Sequence, residues 1–263
     1  MYMSGMSCVS INENTNAVYG INNIYRYIFS MGVSRNDHEK SLKYHCDETF
    51  FDYIDSEAKA YWLGFIYADG YITSGIKGKS LDSFGVTLKD TDGGHLEKLK
   101  SSIKATQKVA YYTSKYGYGY ARLQINSEYM AHTLIEDGVL KQKSLILTFP
   151  SQSILPPELY NHFIRGYFDG DGSLKRKGKN IIGYDFCILG TFEFLTKVKE
   201  ILGVDNKLVQ TRNKVNNFQL CFGGNNKVLS QLNYLYKNAS IYLDRKHARY
   251  IELQEIQNSR LRR

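Results

Sequence analysis

Residues 62–70 read WLGFIYADG and residues 164–172 read IRGYFDGDG. Both stretches carry a small residue at the third and seventh places, and both close on aspartate-glycine. The two aspartates, Asp69 and Asp171, stand 102 residues apart, which is the period of a duplicated domain and not of a solenoid. The chain is therefore expected to run through one folding plan twice. Its 263 residues suffice for one large or two small domains with a sizeable core.

Each copy reads as a helix that ends at its aspartate. Asp55 and Ser56 offer N-cap chemistry ahead of the first copy, with Glu57 in the first turn. Pro156, Pro157 and Glu158 suit the first turn ahead of the second, where missing backbone donors cost nothing. Gly70 and Gly172 fall where a helix C-terminus favours a left-handed residue. Within the helices, Ala60, Gly64 and Ala68 recur every fourth residue, as do Gly166 and Gly170, so each helix has a stripe nearly free of side chains. Glycine inside a helix costs roughly 1 kcal/mol relative to alanine, so a repeated stripe calls for a packing reason. Two such stripes can press backbone on backbone and bring both helix ends together.

Asp69 and Asp171 then stand in an awkward place. A helix C-terminus carries partial negative charge, and two adjacent carboxylates repel. A divalent cation relieves both penalties by taking carboxylate, carbonyl and water oxygens. The metal site expected here uses Asp69 and Asp171, with backbone carbonyls in the vicinity of Ala68, Gly70, Gly170 and Gly172.

The two stretches resemble the motifs of LAGLIDADG homing endonucleases. In that alignment the penultimate aspartate falls on Asp69 and Asp171, and the packing glycine on Gly64 and Gly166. A second acid often found at the sixth place is matched by Asp169, whereas the first copy has Tyr67. The resemblance covers roughly residues 50 to 255, and two motifs in one chain look like the monomeric, pseudo-symmetric type. It implies an α+β fold: two αββαββα half-domains with saddle-shaped antiparallel sheets, packed through the motif helices. The expected boundaries are an N-terminal helical segment over 1–48, a first half over 49–153 and a second over 154–263. The resemblance also implies hydrolysis of both strands of double-stranded DNA across the minor groove, leaving short 3′ overhangs. Mg²⁺ would lower the pKa of the attacking water and clamp the reacting oxygens, with Mn²⁺ able to substitute. A basic residue is implied near each scissile phosphate. Lys143 and Lys246 follow the two aspartates by similar distances and are the candidates, with Lys141 and Arg245 beside them.

The rest of the chain suits a nucleic-acid partner. Its net charge is +8 and its pI about 9.1. After each aspartate a strand pattern leads to a basic tip: Lys77 and Lys79 in the first half, Lys175, Arg176, Lys177 and Lys179 in the second. Further on, Ala121, Leu123 and Ile125 alternate with Arg122, Gln124 and Asn126, which gives one apolar face and one able to read base edges. In the second half Phe218, Leu220 and Phe222 alternate with Gln219, and Arg212 and Lys214 precede them. Before the first motif, Ile21, Ile24, Ile28 and Met31 make a helical stripe, read as the second half of a helix-turn-helix with Val9 to Val18 as the first. The residues from Ser259 to Arg263 read as a frayed basic tail.

No run of about 18 apolar residues exists, so no membrane span is expected. Neither a secretory h-region nor an Arg-rich transit segment opens the chain. Cys8, Cys46, Cys187 and Cys221 lack metal-ligand spacing and suggest a reducing compartment, bacterial or phage cytoplasm or an organelle. Two other readings share the fold: a non-catalytic DNA-binding regulator, opposed by the retention of both aspartates, and an intron RNA-splicing maturase, which could keep them. An intein is opposed by the lack of an initiating cysteine and of a terminal His-Asn.

Overall fold

The computed structural model describes residues 11, 12, 14, 15, 20–30, 44–73, 82–139, 146–178, 182–212 and 215–261. The helix-turn-helix expectation over Val9 to Val18, the tips bearing Lys77, Lys79 and Lys179, the stretch with Lys141 and Lys143, and Lys214 lie mostly or wholly outside them.

Helix α1 (Ile21–Ser30) precedes the first half, which runs α2 (Glu57–Asp69), β1 (Gly70–Thr73), β2 (Ser83–Lys89), α3 (Gly93–Ser102), β3 (Ala110–Thr113), β4 (Gly119–Ile125) and α4 (Glu128–Glu136). The second half repeats the order as α5 (Tyr160–Asp171), β5 (Gly172–Lys177), β6 (Gly183–Gly190), α6 (Phe192–Leu202), β7 (Leu208–Gln210), β8 (Phe218–Gly223) and α7 (Asn225–Leu235), and adds α8 (Asp244–Leu261). Both sheets are four-stranded, with orders β1-β2-β4-β3 and β5-β6-β8-β7, and every pairing is antiparallel. The duplication visible in the sequence is thus a duplication of topology.

Alternation along the strands sets two faces. Phe84, Val86, Ala121, Leu123 and Ile125 are buried on the helix side of the first sheet, as are Tyr184, Phe186, Ile188, Leu220 and Phe222 in the second. The opposite faces carry the polar alternates. Helix α2 is buried without interruption from Ala60 to Ala68, because its own sheet covers one side and α5 the other. Among the described residues no helix is long and apolar enough to cross a membrane.

Several local expectations need correction. Ser56 does occupy the N-cap of α2, but its side chain makes no capping bond. Asp55 instead pairs with Lys59 at 3.0 Å, one turn on. Gly70 and Gly172 are extended, with φ of −73° and −98°, and not left-handed. The chain passes straight from helix into strand there, and glycine is needed for close approach. A methyl on Gly70 would sit 2.6 Å from the carbonyl oxygen of Ile66, and one on Gly172 2.5 Å from that of Phe168. The basic tail is not frayed at Ser259, since α8 continues to Leu261. Cys187 and Cys221 are register partners on β6 and β8 and are joined by a disulfide. Their separation of 34 residues gives no sign of this until the strands are paired.

Candidate active site

Helices α2 and α5 meet along their small-residue stripes. A methyl on Gly64 would lie 2.8 Å from the carbonyl carbon of Phe163, and closer still to its oxygen. One on Gly166 would lie 2.9 Å from the carbonyl carbon of Tyr61, again closer to the oxygen. Backbone therefore rests on backbone, which glycine alone permits. Nearer the ends, Gly170 faces the side chains of Ala68 and Asp69, and a methyl there would stand 3.1 Å from Asp69 Oδ2. The carboxylate of one motif thus lies against the residue preceding the aspartate of the other. Both aspartates are partly exposed.

The surroundings register both charges. Burial first, then the Asp171 carboxylate and its hydrogen bond, and then Asp69 push the Tyr167 hydroxyl well above the usual phenol range. Lys246 is 1% exposed, and burial pulls it down to about 8 against the opposing pull of Asp169, Asp69 and Asp171. Its ammonium donates to the carbonyls of Phe168, Asp169 (2.8 Å) and Gly172 (2.6 Å). These oxygens flank Asp171, so Lys246 caps the end of α5 with a positive charge. The resemblance implies a place for Lys246 beside a scissile phosphate. The structure seats it under the helix end, with its donors spent on carbonyls. Arg245, its neighbour, pairs instead with Asp92 of the first half at 3.0 Å.

A buried polar cluster that sequence reasoning missed supports this end. Arg165, fully buried, donates to Glu57 (2.7 Å), to the carbonyls of Leu235 (2.8 Å) and Ile241 (3.0 Å), and meets His162 Nδ1 (2.8 Å). Glu57 also accepts from the backbone N–H groups of Ser240 (2.6 Å) and Ile241 (3.1 Å). These donors hold its carboxyl below its ordinary pKa in spite of burial, which acts the other way and more strongly than any single one of them. Asp169, 1% exposed, accepts from the Tyr61 hydroxyl at 2.7 Å and from Leu243 N–H at 2.8 Å. Tyr61 in turn lies 2.9 Å from His95 Nε2. Burial lowers His95 to about 3, and a His95 Nε2–H donating to the Tyr61 oxygen is the arrangement that lets Tyr61 give its own proton to Asp169. A signal for the cluster was present: charges at Arg165 and Asp169 are out of place in a helix buried all round, and the first motif has Leu63 and Tyr67 there.

The donor set suits a hard cation. Two carboxylates and nearby carbonyls offer oxygen alone, as Mg²⁺ prefers, and Mg²⁺ commonly takes one or two carboxylates with water and phosphate completing the shell. Among the described residues no group of three or more His, Cys, Asp or Glu forms a fuller site.

The outer sheet faces hold most of the remaining candidates. Arg122 and Gln124 lie on the outer face of β4, and Asn126 is exposed just past its end. Gln124 is already engaged, accepting from the Tyr71 hydroxyl at 3.0 Å and donating to Ser83 at 2.8 Å. Lys175 and Lys177 point outward from β5, the latter paired with Asp185. Arg176 does not join them. It turns to the helix side and pairs with Glu252 of α8 at 3.0 Å, as strand alternation after the buried Leu174 requires. Gln219 sits beside the Cys187–Cys221 disulfide, and Arg212 is exposed after β7.

Two pseudo-symmetric halves, each a four-stranded antiparallel sheet backed by helices and joined to its twin through a motif helix, define the two-motif LAGLIDADG fold. The I-LtrWI LAGLIDADG homing endonuclease, solved bound to target DNA, is similar to this chain with a TM-score of 0.52 and 9% identity, over 77% of this chain and 91% of that one. The I-SmaMI LAGLIDADG homing endonuclease, solved bound to cleaved DNA, matches with a TM-score of 0.50 and 14% identity, over 76% and 90%. Likeness at these identities establishes the fold. No family model and no curated protein sequence matches the chain.

Proposed function

We propose that the chain is a site-specific, divalent-metal-dependent DNA endonuclease that cuts both strands of a long target. The observation that carries this reading is the seating of the Asp69 carboxylate against Gly170, which brings two acids from two helix ends into one place. Both aspartates would hold Mg²⁺, which when bound supplies Lewis acidity and a water of lowered pKa. Asp69 and Asp171 would each orient one such ion, one acid for the cut in each strand. Gly64 and Gly166 set the approach of the helices that bear them. Lys246 offsets the negative end of α5. The outer faces, with Arg122, Asn126, Lys175 and Lys177, offer phosphate and base contacts, and the net charge of +8 favours association with DNA.

The test is cleavage, with Mg²⁺, of the DNA that flanks this reading frame, rejoined without the frame. Either Asp69→Asn or Asp171→Asn is expected to abolish double-strand cutting or reduce it at least ~100-fold. Full activity in either variant would overturn the assignment.

A further inference from the structure

The two helix ends are built alike in backbone but not in side chains. Advancing 102 residues carries Tyr61 to Phe163 and Tyr67 to Asp169. The cross-helix pair Tyr61–Asp169 therefore has Phe163–Tyr67 as its symmetry mate. The first is a buried hydrogen bond of 2.7 Å. The second is an edge-to-face ring pair with centroids 5.1 Å apart. In the first half the Tyr67 hydroxyl reaches away to the carbonyl of Asp137. At the Asp171 end the relay runs from His95 and Tyr61 of the first half to Asp169, and from Asp169 to the N–H of Leu243, just before α8 begins. Lys246 follows in the first turn of α8 and holds the three carbonyls around Asp171.

We propose that Tyr61, a first-half residue, is a positioning residue for the Asp171 end alone, so that the two strand cuts depend on different parts of the molecule. The reason is competition for Lys246. Tyr61 and Leu243 hold one oxygen of Asp169, while its other oxygen, Oδ1, is buried without a hydrogen-bond partner. An unpartnered buried carboxylate oxygen is costly, and of the cations acting on Asp169 the strongest is Lys246, ahead of Arg165. Without the Tyr61 hydroxyl, Asp169 is free to turn toward that ammonium. Donors would leave the carbonyls of Phe168, Asp169 and Gly172, and the turn that aims Asp171 would loosen. The Asp69 end has no such dependence on Tyr61, because its own tyrosine is anchored at Asp137.

This inference rests on the endonuclease reading and is tested by strand-resolved cleavage with each strand end-labelled. Tyr61→Phe keeps the ring and removes only the hydroxyl. It should slow the cutting of one strand by about 10- to 100-fold, the usual effect of losing a support of a metal ligand, and change the other by less than about twofold. Nicked duplex should accumulate, while DNA affinity measured in Ca²⁺ stays unchanged. Tyr67→Phe should leave the Tyr61-dependent strand untouched. His95→Phe, which removes the donor one step back and leaves Tyr61 in place, should affect the same strand as Tyr61→Phe and serves if that variant does not fold. Equal slowing of both strands, or of neither, would overturn the proposal. If the wild-type protein cuts neither strand, the endonuclease reading itself has failed, and this inference goes with it.

Discussion

Gly166 has a carbonyl where a methyl would be, and its twin Gly64 is in the same position. The clash is with the backbone of a partner helix, so no rotamer can relieve it, and the helices would have to part. Gly166→Ala is therefore expected to cost at least ~3 kcal/mol, the upper end of overpacking penalties, despite alanine's better helix propensity. A loss of less than about 1 kcal/mol of unfolding free energy in urea titration would show that the interface yields. This role was legible, since glycine at every fourth place weakens a helix and is useful there mainly for close packing. The role of Lys246 was not. Its residue type and its place after Asp171 were visible in the chain, but whether an ammonium points at solvent or under a helix end depends on a loop placed by Glu57 and Arg165 from opposite halves. The left-handed glycines failed for a related reason. A turn after a helix needs φ above zero, whereas a helix that runs directly into a strand does not, and Asp-Gly announces both in the same two letters.

Strand β5 places neighbouring cations on opposite faces. Lys175 lies in register with Asp185 on the outer face, while Arg176 follows the buried Leu174 inward to Glu252. If the outer faces meet DNA, the two residues differ sharply in effect. Lys175→Ala should weaken binding of any sequence and lower the slope of log affinity against log salt by about one contact's worth, ~0.9. Arg176→Ala should leave that slope as it was. Equal slopes for the two variants would mean that β5 meets the partner through something other than its outer face. Here alternation in the sequence already contained the answer, because Leu174 fixes which neighbours face out. The basic tip is two sets of cations, and its charge alone does not separate them. Helix α8 was hard to read for the opposite reason. Only Tyr250 and Leu253 within its central turns are well buried, too sparse a stripe to stand out among so many charges.

The halves are tied by more than the glycine stripes. Glu57 opens the first motif helix, Arg165 lies inside the second, and together they hold the Ser240–Ile241 turn that leads into α8. The pseudo-symmetric mate of Arg165 is Leu63, so the polar tie exists on one side of the interface only. Removing one partner of a buried, hydrogen-bonded ion pair strands the other and typically costs about 3–5 kcal/mol. Arg165→Leu would also leave the carbonyls of Leu235 and Ile241 without a donor. It should therefore lower stability by that amount, where breaking the exposed Lys197–Glu200 pair should change it little. Because the contacts of Arg165 span both halves, the loss should appear as one cooperative transition moved to lower denaturant, reported equally by probes in either half. Were the halves independent units that merely touch, the second-half probe would move alone. That result would mean that the duplicated chain folds as two bodies, and that the carboxylates of Asp69 and Asp171 are brought together only when something else clamps them.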